Sequence, residues 1–167
     1  MPTITVRRYD YGELKRRLNA DDRILILSCN ACARQSDGLG GEQGLTSLSD
    51  RLRADGFTVH HGEVLAVACS PKILSERLQD EQIRGLFEQA DVIIPLSCQA
   101  GENRISEVLP RIPIIRVTKT LGKGVHTPES GARLTEADPD LGLDVDDPEG
   151  LSLEEAARRL GLHSGRF

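Results

Sequence analysis

The sequence predicts a single α/β domain: a mostly parallel, doubly wound (Rossmann-like) sheet with helices on both faces. Three observations lead there. Short apolar runs at Arg23 to Ser28, Val64 to Ala68 and Asp91 to Ser97 have strand length and little alternation, as strands buried on both faces do. Each is followed by a segment whose apolar residues recur with the helical period, the order that sets successive strands parallel. Each run also leads directly to a cysteine: Cys29, Cys69 and Cys98. A chain of 167 residues, 38% hydrophobic, is about one domain long and can close a core without disulfide staples.

Element by element, Thr3 to Arg7 is expected as an edge strand and Tyr11 to Leu18 as a short helix. Arg23 to Ser28 is the first buried strand. A Gly-rich loop from Cys29 to Gly41 leads from it into a helix on which Leu45, Leu48 and Leu52 share a face and which Gly56 ends. Phe57 to His61 alternates like a half-exposed strand, and Val64 to Ala68 is expected as a second buried strand. Ser70-Pro71 reads as a helix start, because serine can cap free amides and proline is favoured at the first helical position; Ile73, Leu74 and Leu78 supply that helix's apolar face. Glu81 to Gln89 continues as helix, Asp91 to Ser97 is the third buried strand, and a helix bearing Ile105, Val108 and Leu109 follows near Gly101. Pro113 to Thr118 is expected to close the series as a last strand. Beyond about Gly122 the composition changes: Thr135 to Glu149 holds seven acidic residues, no basic ones and two prolines, and is expected to be extended. Leu151 to Leu160 fits one amphipathic helix with Leu153, Ala156, Ala157 and Leu160 on one face. The expected organisation is an α/β domain over 1–126, an acidic arm over 127–150, and a C-terminal helix and tail over 151–167.

Charge narrows the function classes. With 21 basic against 26 acidic residues, a net charge of −5 and a pI of about 5.4, no basic surface tuned to nucleic acid is expected. Aromatic content is 3% with no Trp, which disfavours stacking on bases or planar ligands. The apolar runs are far shorter than a membrane span and the N-terminus lacks a signal-peptide core, so a cytoplasmic protein without membrane contact is expected. In a reducing cytoplasm, four cysteines point to a metal or redox site sooner than to a disulfide frame.

Consecutive parallel strands point the same way, so Cys29, Cys69 and Cys98 are expected at the C-terminal edge of the sheet, where such folds bind ligands. Cys32 follows Cys29 in the same loop at a spacing that lets two thiolates reach one metal. The helices expected after Cys69 and near Gly101 would aim amides at the site and favour thiolate over thiol. Cys29, Cys32, Cys69 and Cys98 are therefore the candidate metal or cofactor ligands. Gaps of 36 residues from Cys32 to Cys69 and 28 from Cys69 to Cys98 match neither a zinc ribbon nor a compact ferredoxin run. Spacing thus leaves open zinc and a cubane cluster, both of which take four thiolates. Ligands from three loops, with Gly38, Gly40, Gly41 and Gly101 to open room, favour a 4Fe-4S cluster over zinc. The plainer alternative makes Cys69 and Cys98 small buried hydrophobes. No nucleophile or acid–base pair accompanies the cysteines, so no catalytic residue is assigned and a non-catalytic subunit is expected. Two other readings stand beside it: a thiol redox protein in which Cys29 and Cys32 cycle between dithiol and disulfide, and a structural zinc domain that binds proteins through its terminal helix.

The pattern Cys29-Asn30-Ala31-Cys32-Ala33, then Gly40-Gly41-Glu42, Ala68-Cys69 and Ser97-Cys98-Gln99-Ala100-Gly101, resembles the N-terminal domain of the small cysteine-rich (MetV-type) subunit of acetogen-type methylenetetrahydrofolate reductase over about residues 20–126. More distantly it is similar to the delta-type iron–sulfur subunit of hydrogenase and heterodisulfide reductase complexes. The resemblance implies a metal-bearing auxiliary subunit that transfers electrons or braces a folate-binding TIM-barrel reductase in one-carbon metabolism. Where that family carries a C-terminal cysteine-rich segment, this chain has the acidic stretch and terminal helix.

The remaining polar residues have plain readings. Gly38-Leu39-Gly40-Gly41 before a helix is expected as a tight loop rather than a phosphate cradle, since the dinucleotide fingerprint is missing. His60 and His61, adjacent on a strand, should face opposite sides. His126 and His163 fall in the tail with no assigned role. Glu102, Asn103 and Arg104 form a helix's first turn, solvated or in contact with the centre's sulfurs.

Overall fold

A computed structural model describes residues 1–167. In chain order the elements are β1 (Thr3–Arg7), α1 (Tyr11–Arg16), β2 (Arg23–Cys29), α2 (Cys32–Gln35), α3 (Gly41–Ala54), β3 (Thr58–Leu65), α4 (Ile73–Arg77), α5 (Glu81–Glu88), β4 (Val92–Leu96), α6 (Gln99–Val108), β5 (Thr118–Thr127), β6 (Gly131–Ala137), β7 (Leu151–Ser152) and α7 (Leu153–Leu160).

The parallel sheet forms where the chain is most apolar. β2 lies between β3 and β4, parallel to both. Its Ile24, Leu25, Ile26 and Leu27 are all fully buried, because helices cover both faces. On one face α1 and α3 bring Leu14, Leu45, Leu48 and Leu52 onto Ile24, Ile26 and Ile94. On the other, α4, α5 and α6 bring Leu74, Phe87 and Ile105 onto Leu25, Leu27 and Ile93. Each such side chain contributes about 1.5–3 kcal/mol by leaving water. The α/β class and the parallel sheet agree with the sequence.

The chain does not form one sheet. A second, antiparallel sheet runs in the order β1-β5-β6-β7. Ile4, Val6, Leu121, Ala132 and Leu134 on its inner face pack against Leu153, Ala156 and Ala157 of α7. Pro113 to Thr118, expected as the last parallel strand, makes a single parallel bridge between Ile114 and Ile93. The Ile93 amide reaches Pro113 O and the Ile115 amide reaches Ile93 O, after which the chain leaves for the second sheet at Thr118.

The segment read as an acidic arm belongs to the core. β6 takes its first part, and Leu141, Leu143 and Val145 then pack against the third core while Asp140, Asp144, Asp146 and Asp147 face water. The acidic composition hid a two-residue alternation that buries one side of the connection. A boundary at residue 126 would therefore cut β5, and the tail beyond 151 is structural. Its His163 exchanges backbone hydrogen bonds with Arg7, and Phe167 ends buried in the first core beneath the Arg7 guanidinium.

Two further local readings change. In place of separate strands at Phe57 to His61 and Val64 to Ala68 there is one strand, β3 (Thr58–Leu65), and its register against β2 slips so that Val59 pairs with Ile24 and His61 with Leu25. His60 is the extra residue of a β-bulge, which lets both histidines address α5: His60 Nε2 lies 3.1 Å from Leu86 O, and His61 sits 5.7 Å from the Phe87 ring. The helix expected to spring from Ser70-Pro71 starts only at Ile73, because the Ser70 hydroxyl accepts from the Lys72 amide in a turn instead of capping a longer helix.

Candidate metal centre

With the strand order β3-β2-β4, the chain winds from β2 to one side and returns to the other, so the C-terminal ends of β2 and β4 flank a topological switch point. Cys29 closes β2 and Cys98 follows β4 by two residues, both nearly excluded from solvent. Asn30 carries the β2–β3 pairing one step further by donating to Leu65 O at 2.8 Å, which fixes Cys29 beside the end of β3. There the Ala68 amide donates to Cys29 Sγ at 3.5 Å. Cys98 is the N-cap of α6, at the start of the helix that carries Gly101.

Cys32 is half-buried at the start of α2, and its Sγ accepts from the Thr3 amide at 3.4 Å. Ser36 fastens this turn: its hydroxyl donates to Cys32 O and accepts from the Thr5 amide. The second sheet thus supplies a donor to the site, which nothing in the spacing of the cysteines announces. Cys69 is exposed, four residues past β3 in the loop before α4. All four thiols are free.

The Cys98 thiol is the one of the four that its surroundings perturb. Burial pushes the Cys98 thiol up, the Gly101 amide opposes this, and Cys32, Cys29 and Cys69 push it further by repulsion between like charges. No three of the sulfurs lie within 4.8 Å of one another; Asp10, Glu13 and His163 form the one such trio of ligating groups in the chain. Tetrahedral zinc with bonds of about 2.3 Å holds its sulfurs about 3.8 Å apart, so the cysteines converge more loosely than one ion requires. Four free thiols are the donors that a four-thiolate centre would need.

The glycines do not open room for it. A Cβ on Gly40 would lie 2.5 Å from Cys29 O and 3.1 Å from Leu96 O, and one on Gly101 would lie 3.0 Å from the Ala68 Cβ. Both let segments close on one another: Gly40 seats the start of α3 over the ends of β2 and β4, and Gly101 admits Ala68, which sets the loop bearing Cys69. Gly38 and Gly40 also border a polar cleft of about 410 Å³, with Arg34 and His126 on its wall.

Of the first turn of α6, Glu102 is buried and faces away from a role on sulfur. Its carboxylate accepts from the Thr118 hydroxyl at 2.8 Å and from Arg116 at 3.1 Å, while Thr118 also contacts Ser97 O. Burial raises its pKa despite those partners. These bonds, with the Gln99 amide on the Thr120 hydroxyl at 2.9 Å, join the parallel sheet's C-terminal edge to β5. Arg104 pairs with Glu107 instead.

No family model matches this chain, and neither the curated proteins nor the solved structures contain a similar one. No helix is long and apolar enough to cross a membrane.

Proposed function

We propose that this chain is an iron–sulfur or metal-binding auxiliary subunit, acting beside a catalytic partner by passing electrons or bracing it. The observation that carries this reading is a set of four free cysteines, from three stretches of chain, around one edge of the parallel sheet, two of them accepting backbone N–H groups. Such hydrogen bonds stabilise thiolate and tune the potential of an iron–sulfur centre. That no three of the sulfurs come within 4.8 Å of one another favours a larger centre, a 4Fe-4S cluster, over a single zinc ion. The likeness of the cysteine motifs to the MetV-type subunit supports a folate-binding TIM-barrel reductase as the partner and one-carbon metabolism as the setting, in the cytoplasm.

The test is anaerobic purification followed by a visible spectrum and by iron, sulfide and zinc analysis of one sample. A brown protein with about four irons and matching sulfide per chain is the expected result. A colourless protein with about one zinc assigns the centre a structural role. A protein that takes up neither removes the reading.

A further inference from the structure

The four cysteines are not equivalent. Cys29 and Cys98 are buried and Cys32 half-buried, and the sulfurs of Cys29 and Cys32 each receive a backbone amide, from Ala68 and Thr3 respectively. Cys69 is exposed, no hydrogen bond reaches its sulfur, and it sits on an irregular loop between β3 and α4. The loop is pinned just before it: Ala68 is buried against Gly101, and its amide is committed to Cys29. Val67 on the same loop is among the few large apolar side chains open to solvent. The chain thus fixes three ligands from inside and brings the fourth to the solvent side.

We propose that Cys69 is the exchangeable ligand of this centre: Cys29, Cys32 and Cys98 hold it, and Cys69 closes a position that a soft external donor, a thiol, can occupy in its place. This rests on the metal-binding reading above. The exchange is a ligand substitution without redox change: the bond to the Cys69 sulfur breaks, the bond to the incoming sulfur forms, and the incoming thiol's proton passes to Cys69. Accessible, undonated sulfur exchanges, whereas sulfur that is buried or hydrogen-bonded stays.

Two measurements test this. In metal-free, reduced wild-type protein, timed alkylation with iodoacetamide followed by peptide mass spectrometry should label Cys69 at least about tenfold faster than Cys29 or Cys98. Among reconstituted variants, Cys69→Ser should keep most of the wild-type metal, with a visible spectrum that shifts on adding 2-mercaptoethanol, while Cys29→Ser and Cys98→Ser lose it. A wild type that binds metal while Cys69→Ser is as empty as the buried-cysteine variants overturns the proposal and leaves the metal-binding reading standing. Equal alkylation of Cys69 and Cys29 also overturns it. A wild type that binds no metal removes both.

Discussion

At the scale of single residues, the site is built by close approach. Gly40 touches backbone carbonyls of both β2 and β4, so an added methyl has no flexible neighbour to displace. Gly40→Ala should cost about 2 kcal/mol or more in urea unfolding, as overpacking of a filled site does, and should lower metal content as Cys29 is pushed from its place. Gly101→Ala meets the Ser97 side chain and Ala68 instead, so its effect should be smaller and fall mainly on the loop of Cys69. Glu102 gives a pH test. A carboxyl whose folded pKa lies above its unfolded value holds its proton more tightly in the native state. Its contribution is therefore full at pH below the unfolded value and declines as pH rises through the folded one. Glu102→Gln should remove that decline, so the difference in stability between variant and wild type should shift in the variant's favour as pH rises through this range. Parallel curves for the two proteins would mean that Glu102 does not titrate differently on folding. Half-buried Glu155 works in the opposite sense: Arg158 and Arg159 hold its pKa down to about 2, so what it adds is lost as the solution is acidified.

At the scale of elements, α7 has the marks of a structural helix. Ser152 caps it by accepting from the Glu155 amide at 3.1 Å, Gly161 ends it in the left-handed conformation, and Leu153, Ala156 and Ala157 are buried. Ending the chain at residue 150 should therefore unfold the second sheet, seen as lost protection of β5 and β6 amides from hydrogen exchange. Leu153→Ala alone should cost about 2–5 kcal/mol. A truncated protein with wild-type protection would restore the tail to an independent arm. How legible these elements were follows from how many of their faces are buried. β2 and β4 stand out because both faces are covered, and α3 because its leucines keep one helical face. The second sheet was missed because only one face is buried and its strands are short of apolar residues. β5 offers only Leu121 and Val125, and Gly122 and Gly124 obscure the alternation; there a side chain would strike the backbone of β6. The signal was nonetheless present in Ala132 and Leu134 after the Pro128-Glu129-Ser130-Gly131 turn, an alternation behind a hairpin-type loop. In the candidate site, Cys29, Cys69 and Cys98 were legible at one edge of the sheet because parallel strands display their ends together. The amide of Thr3 and the Thr118–Glu102 contact were not, because they depend on how the second sheet meets the first.

At the scale of the whole molecule, the proposed centre lies where the two sheets are joined. Cys29 belongs to the middle strand of one, Cys98 to the helix that leaves it, and Cys32 to a turn held by β1 of the other. A ligand that links these sulfurs ties together parts of the chain that are far apart when it is unfolded, so binding should act as folding free energy. At a free metal or cluster-equivalent concentration 100 times the dissociation constant, the native state should gain about 2.7 kcal/mol. For a chain of this size that corresponds to a rise in melting temperature of about 5–11 °C, read by comparing reconstituted and metal-free protein in the same buffer. The rise should also depend on the junction between the sheets. Thr118→Val removes the hydroxyl that contacts both Ser97 O and Glu102. It should cost about 1–3 kcal/mol in the metal-free protein, since buried acceptors lose their donor. Because Ser97 directly precedes Cys98, it should also shrink the metal-induced rise. A variant that is destabilised but shows the full rise would separate the junction from the centre. A wild type whose melting temperature ignores bound metal would mean that the cysteines hold it as well in the unfolded chain as in the folded one, which the wide separation of Cys32, Cys69 and Cys98 along the sequence argues against.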